Sequence, residues 1–452
     1  MKTYISLFIL IVAGSLVAQK PNIIIIQVDD MGYDDLSING NKVSHTPNLD
    51  AFSEESVRFD NFMVNSVCAP TRASLLTGRD FWKTGVSAMH GGKDFLNLNE
   101  TTFANIFKEN GYTTGMWGKW HSGKADGYWP WDRGFDEGYY AELYKYFPSS
   151  GWYNQYPKKT RHKGEWSPKV IVDYAVDFIS KNKDKPFLAY VSFLSVHGRR
   201  NAPEYYKKKY RKEGRSENFT TLLGMLSFMD DEVGRLLNHI YELGLDENTV
   251  IMFMSDNGPI KEKENEVEWR LRNNHNFLGN KARIWQNGLK SPLYVRWKNQ
   301  FEPSNVPRLV SVTDIFPTLL DIANLKLPAS NLPLDGRSIL SYLKGNLKKL
   351  SEKEAIFSHW HPYANHWEPF IKEMHWDPLS KEQVQELDFN KQRITIMDEH
   401  YKYLYNAYNV KGGPKSSKGE CLIDLVSDPL ESNNIVDEFP EIAAKYLSLI
   451  HI

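Results

Sequence analysis

Asp29 and Asp30 follow directly on the apolar run "NIIIIQV", and Asp256 and Asn257 follow on "TVIMFMS". Brought to one point, these side chains would offer only oxygen atoms, the ligand set of calcium or magnesium rather than of zinc or copper. Three carboxylates crowded together without a cation would repel one another and take up protons, so the set predicts a bound metal. A lone thiol stands apart from them in "VNSVCAPTRASLLTGR", residues 64–79. Pro70 suits the first turn of a helix and Gly78 its end, which puts Cys68 or Ala69 near the cap. A helix N-terminus presents free N–H groups and a positive dipole end, a fit for a tetrahedral oxyanion. Arg72 lies close behind Cys68 and would add a fork-shaped cation. In "GYTTGMWGKWHSG", Lys119 and His121 alternate as two residues on one side of an extended segment would. "LGNKARIWQNGLKSP" adds Lys281, and His197 closes a further apolar run. Each has a plainer explanation when taken singly: a solvated lysine, a satisfied core histidine, a turn-forming Asp or Asn. Their joint placement is what points to chemistry.

The elements that must position these groups are buried strands. "NIIIIQV" (22–28), "FLAYVSFLSV" (187–196), "TVIMFMS" (249–255) and "PLYVRW" (292–297) are near-continuous apolar runs. Helical patterns such as "TTFANIFKENG" and "FTTLLGMLSFMDDEVGRLLNHIYELG" separate them, which implies an α/β domain with a mainly parallel sheet flanked by helices. Ligands of such sheets collect at the carboxyl ends of the strands, where Asp-Asp, His and Asp-Asn are delivered. "VTDIFPTLLDIAN" (312–324) reads as a closing helix and "LKGNLKKLSEKEA" (343–355) as a linker. "RITIMDEHYKYLYN" resembles a hairpin and "ECLIDLVSDPLESNNI" a further strand and turn. Residues 350–452 are therefore expected to form a small, mostly antiparallel domain with a C-terminal helix, after a catalytic domain at 20–349.

The N-terminal "MKTYISLFILIVAGSLVAQ" reads as a signal peptide over 1–19, with export to the periplasm or medium, and no later segment looks transmembrane. Lys plus Arg number 55 against 56 Asp plus Glu, a balance that argues against a nucleic-acid partner. Aromatic residues reach 13%, compatible with carbohydrate-facing clefts or simply with packed core. Two cysteines, Cys68 and Cys421, could form one long-range disulfide, and their spacing suits neither a disulfide framework nor a zinc site.

"CAPTRASLLTG" matches the sulfatase signature C-x-P-x-R-x-x-x-x-T-G, and "GYTTGMWGKWHSG" resembles that family's second signature. "VDDMG", "SDNGP", "GNK" and "LDGRS" occur in the family's order, so the chain resembles the sulfatases over about residues 25–340. The resemblance implies an alkaline-phosphatase-like fold, with a large α/β domain and a small C-terminal sheet domain. It implies that Cys68 is oxidised by a formylglycine-generating maturation enzyme to formylglycine (3-oxoalanine), whose hydrate attacks sulfur and expels the alcohol. Loss of a proton from the second hydroxyl, with cleavage of the C–O bond and release of sulfate, then regenerates the aldehyde, an exit that serine or cysteine lacks. Carried over residue by residue, Asp29, Asp30, Asp256, Asn257 and the modified Cys68 would hold one calcium ion. Arg72 and Lys119 would stabilise the diol and sulfate charge, and His121 would be the base. His197 and Lys281 would bind sulfate and help protonate the departing oxygen. Cys421 is then left as a buried free thiol.

The chain departs from common family patterns at "HGRRNAP", at Gln286-Asn287-Gly288, and in a longer insert, "IKEKENEVEWRLRNNHNFL". Arg199, Arg200 and His275 are candidate substrate contacts, with surface placement the plainer expectation. "SHWHPYANHWEPF" (358–370) is a sugar-binding or packed aromatic loop, and "YYKKKYRKEGR" (205–215) a solvated helix face or a contact for a polyanion. The expected function is an exported sulfatase acting on a sulfated polysaccharide or oligosaccharide, algal (ulvan, carrageenan) or glycosaminoglycan. The alternatives are a phosphonate or phosphate-ester hydrolase of the same superfamily and a noncatalytic glycan-binding protein.

Overall fold

Ile24, Ile26 and Val28 point into one hydrophobic core and Ile23 and Ile25 into another. A strand buried on both faces must be apolar at every position, which is why this segment reads as an unbroken run. The computed structural model describes residues 20–87, 89, 93–141, 153–156, 164–348, 357–361, 393–407, 413–416 and 419–450. The expected signal peptide at 1–19, the expected boundary at 349/350 and residues 362–370 of the His/Trp-rich stretch lie outside the described residues.

Among the described residues, ten strands form the large sheet. They are β1 (Asn22–Val28), β2 (Val57–Met63), β3 (Thr113–Gly118), β4 (Glu137–Ala141) and β5 (Tyr153–Tyr156). β6 (Phe187–Ser192), β7 (Thr249–Ser255), β8 (Lys290–Ser291), β9 (Leu293–Trp297) and β10 (Ser304–Ser311) complete it. The order is β10-β2-β9-β7-β1-β6-β3-β4-β5, with β8 paired to β2. β1 pairs in parallel with β6 and β7, as do β3 with β6 and β4, while β9 runs antiparallel between β2 and β7. On one face pack helices Pro47–Glu54, Ser167–Asn182 and Glu217–Glu242; on the other, Phe103–Glu109 and Ile315–Ala323. The fold is the expected α/β architecture with a mostly parallel sheet between helical layers.

The apolar stretch 187–196 is not all strand. β6 stops at Ser192, and the chain turns with Phe193 N–H donating to the Gln27 carbonyl (2.8 Å) and His197 N–H to that of Leu194 (3.0 Å). Those residues are apolar because the turn itself is buried.

A second sheet holds β11 (Phe357–His361), β12 (Arg393–Met397), β13 (Tyr401–Tyr405) and β14 (Glu420–Asp424), all antiparallel. The C-terminal helix Pro440–Ile450 packs on it through Ala443 and Tyr446. Both cysteines are free and buried, and Cys421 packs with Leu404, Ile423 and Trp285, where burial pushes its thiol up to about 12. It is an inert core thiol.

A fully buried ion pair joins this sheet to the larger unit. Lys402 on β13 bonds one carboxylate oxygen of Glu431, and the other accepts the Gln286 N–H at 2.6 Å. Lys402→Met would leave Glu431 charged and unpaired in the interior, and is expected to cost about 3–5 kcal/mol. The double variant Lys402→Met/Glu431→Gln should recover most of that loss. Urea-denaturation midpoints of the two variants test this; equal losses in both would refute it.

Candidate active site

The register of the central strands sets the site. Val28 pairs with Ser255, so Asp29 and Asp256 leave neighbouring strands at the same level. The Asp256 N–H donates to the Val28 carbonyl (3.0 Å) and the Asp29 N–H to that of Ser195 (2.8 Å), locking three strand ends together. Asp30 follows with φ 60°, a left-handed conformation that a residue other than glycine holds only when its surroundings impose it. Its N–H donates to Asp256 Oδ1 at 3.3 Å.

Helix Cys68–Thr77 begins on the cysteine itself and ends on Gly78 with φ 66°. Pro70 sits in its first turn, where no N–H is needed. One turn below Cys68, Arg72 is wholly buried and grips Asp256 Oδ2 through Nε (3.0 Å) and Nη2 (2.7 Å). Its Nη1 donates to the Lys119 carbonyl (2.9 Å) and Ser192 Oγ (2.6 Å). The helix therefore positions the thiol and a cation together.

Lys119 comes from the end of β3. Gly118 (φ 111°) makes this possible, since a Cβ there would lie 1.8 Å from the Ser192 carbonyl oxygen. The Lys119 ammonium lies 2.5 Å from Asp29 Oδ2 and 3.7 Å from Asp256 Oδ2, and Lys281 Nζ lies 2.5 Å from Asp30 Oδ1. Burial alone would lower both lysines, but the carboxylates outweigh it and hold them firmly charged. Burial and then Asp256 push Asp29 well above the usual carboxylate range. Burial pushes Asp30 the same way, but Lys281, joined by Lys119 and the Asn257 hydrogen bond, overcomes it and holds Asp30 low.

The extended run does not continue to His121, which adopts φ 59° and turns toward Asp94 (3.8 Å) and the Met89 carbonyl. Its Nε2 lies 2.6 Å from that carbonyl oxygen, which can only accept, so Nε2 carries the proton and Nδ1 is the basic nitrogen. His197 places Nε2 3.6 Å from Asp30 Oδ2. Burial, then the neighbouring lysines, push both histidines down to about 3. Both are neutral imidazoles near pH 7.

A cation fits among these groups. Asp29 Oδ1, Asp30 Oδ2 and Asn257 Oδ1 are buried without a hydrogen-bond partner, a costly state unless something else binds them. Asn257 Nδ2 donates to Asp30 Oδ1 and the Gly258 carbonyl, each at 2.8 Å, which fixes the orientation of its amide. Ligand atoms of Asp29, Cys68 and Asp256 lie within 4.8 Å of one another, as do those of Asp29, Asp30 and His197. Three carboxylates are matched by Arg72, Lys119 and Lys281, so a divalent cation would leave the pocket net positive and ready for an anion. The donor set suits a hard ion.

The residues predicted from the sequence thus meet in one place. Asp29, Asp30, Cys68, Arg72, Lys119, His197, Asp256, Asn257 and Lys281 are linked by direct contacts or by one shared neighbour, and His121 lies close enough to Lys119 to feel its charge. Arg200 is not the expected surface group: its side chain is buried against Glu264 (2.7 Å). Arg199 and His275 are exposed, with His275 bound to Asp34 at 2.6 Å. The basic run 205–215 is balanced by Glu204 and Glu217, Lys207 reaching the latter at 2.8 Å. Arg272 and Asp35, which hold the Asp30 turn, belong to no motif, and Arg272 was visible only as part of the insert.

Four similarities to known proteins bear on this site. The family model described as Sulfatase matches residues 21–325. An ulvan-active sulfatase of Formosa agariphila is 30% identical, covering 76% of this chain and 69% of its own length. The N-acetylgalactosamine-6-sulfatase of Mus musculus is 29% identical, covering 80% and 76%. The crystal structure of Ps i-CgsB in complex with k-i-k-neocarrahexaose superposes with a TM-score of 0.78 at 22% identity, covering 96% of this chain and 92% of that one, and shares the fold.

The orphaned oxygens predict that chelator-treated protein is stabilised by a hard divalent cation. At a hundredfold excess over Kd the gain is about 2.7 kcal/mol. Thermal melting across a calcium titration tests this, and an unchanged Tm would count against a cation site.

Proposed function

This chain belongs to the sulfatase family and is a sulfuric ester hydrolase; from that premise we propose that it is an exported, calcium-dependent enzyme acting on sulfated glycans through a formylglycine made from Cys68. The observation that carries this is the thiol at the head of a buried helix, grouped with the carboxylates of Asp29 and Asp256 over an arginine one turn away. A noncatalytic glycan-binding role does not survive the family assignment.

In this proposal Asp29, Asp30, Asp256, Asn257 and residue 68 would hold calcium, whose chemistry would be Lewis-acid polarisation, and formylglycine at position 68 would provide the hydrated nucleophile. Arg72 keeps Asp256 ionised and aligned while adding positive charge under residue 68. Lys119 and Lys281, which the buried carboxylates hold charged, bind sulfate oxygens. His121 accepts a proton from residue 68 at Nδ1, and an arriving sulfate raises its basicity by adding negative charge nearby. His197 is neutral at rest and donates an N–H hydrogen bond, so Lys281 is the better placed proton source for the departing oxygen.

A sulfated glycan is supported by the ulvan-active relative and by the relative named for N-acetylgalactosamine-6-sulfate, and algal polysaccharide and glycosaminoglycan are the substrate classes proposed here. Export is supported by the lysine-led apolar character of residues 1–19, and a formylglycine-generating enzyme is the required partner. No described helix is long and apolar enough to cross a membrane.

Conversion of Cys68 makes the peptide that carries it about 18 Da lighter, readable by mass spectrometry. Matured enzyme is expected to release sulfate from at least one member of a panel of sulfated oligosaccharides, and Cys68→Ala to abolish release while leaving the fold. Silence across the whole panel sinks the glycan assignment, and faster cleavage of an aryl phosphonate than of an aryl sulfate favours the phosphonate-hydrolase alternative. Lys281→Met should slow a sugar sulfate by about a hundredfold or more, and nitrophenyl sulfate, whose leaving group needs no proton, much less. Equal losses on both substrates would remove Lys281 from the acid role.

A further inference from the structure

The insert between Pro259 and Gly279 contributes no residue to the pocket described above, yet it carries a buried ion network. Arg272, 1% exposed, forks onto Asp35 through Nε (2.8 Å) and Nη2 (2.9 Å). Its Nη2 also donates to the Asp30 carbonyl at 3.2 Å, and its Nη1 to the Ile260 carbonyl (2.5 Å) and Glu264 Oε1 (3.1 Å). Asp35 Oδ2 in turn accepts the Gly32 N–H at 2.7 Å. The turn from Asp30 to Gly32 is therefore held at both ends by one guanidinium and its partner.

The same network reaches the histidine loop. Glu264 Oε1 lies 2.7 Å from Arg200 Nη2, and Arg200 follows closely on His197. Glu262 covers Gly198, where a Cβ would fall 2.1 Å from its carboxylate oxygen. The insert thus touches the two segments whose side chains, Asp30 and His197, face each other at 3.6 Å.

Buried ion networks are weak contributors to net stability, because desolvation offsets most of their attraction. What this one supplies is position. Asp30 holds φ 60° and must turn an oxygen toward the cation, and groups that orient metal ligands from outside typically change affinity when lost. Resting on the calcium assignment above, we infer that the insert is a clasp that sets the metal-binding turn against the His197 loop, with Arg272 and Glu264 as positioning residues.

The test is calcium affinity, measured by titration calorimetry on chelator-stripped protein, with Tm recorded alongside. Arg272→Lys keeps the charge but loses the fork, and Glu264→Gln keeps the shape but loses the bridging charge. Both are expected to weaken calcium binding by about tenfold to a hundredfold. The control is Arg296→Lys, which loses the fork between Glu55 and Asp246 beside the start of β7, away from the carboxyl ends of the strands, and should leave affinity unchanged. If Arg272→Lys does not fold, Glu264→Gln decides alone. Affinity within about twofold of wild type in a folded clasp variant overturns the inference, as does equal weakening in the control. Absence of calcium binding by the wild type overturns the calcium assignment and the clasp together.

Discussion

Three carboxylates buried at the ends of adjacent strands cannot stay ionised unless opposite charge is buried with them. That electrostatic constraint organises the molecule. Arg72, Lys119 and Lys281 arrive from a helix, a strand end and a loop that are remote in sequence, and each touches an Asp. The parallel register of β1, β6 and β7 brings the acids to one level, and the Cys68–Thr77 helix delivers the thiol on the element that carries Arg72. Cys68, proposed as the reactive residue, and the charge beneath it are therefore placed by one rigid segment, a stricter arrangement than a loop would allow.

The insert and the small sheet extend the same logic outward. Residues 286–288, which depart from the family's usual pattern, act as a brace. The Gln286 N–H is held by Glu431, the Asn287 N–H by the Leu278 carbonyl (2.9 Å), and the Gly288 carbonyl accepts from Gly258 at 3.1 Å. The loop bearing Lys281 is thereby fixed between Gly258, beside Asn257, and the second sheet. Gly258 has no room for a side chain, as a Cβ would sit 1.8 Å from the Asn287 carbonyl oxygen.

Much of the site was legible because its residues sit where buried strands stop. β1 and β7 match their apolar runs end to end, since two buried faces leave no polar position to blur the pattern. The helix at Cys68 was bounded by Pro70 and Gly78 for plain conformational reasons. β2, "VRFDNFM", was harder to read, because Arg58, Asp60 and Asn61 are only partly buried and interrupt the run. The antiparallel direction of β9 leaves no mark on composition. The Arg272–Asp35 fork joins residues 237 positions apart, and no local spacing announces such a pair. Arg200 looked like a surface residue because its partners lie in the distant insert.

The calcium ion proposed among Asp29, Asp30, Asp256 and Asn257 would sit in front of residue 68. A crystal structure of calcium-loaded protein with anomalous data tests it most directly. The expected result is one ion about 2.3–2.6 Å from an oxygen of each of those four residues, the spacing usual for calcium. An ordered pocket at saturating calcium with no ion there, and the Asp29 and Asp30 carboxylates still bonded only to Lys119 and Lys281, would contradict it.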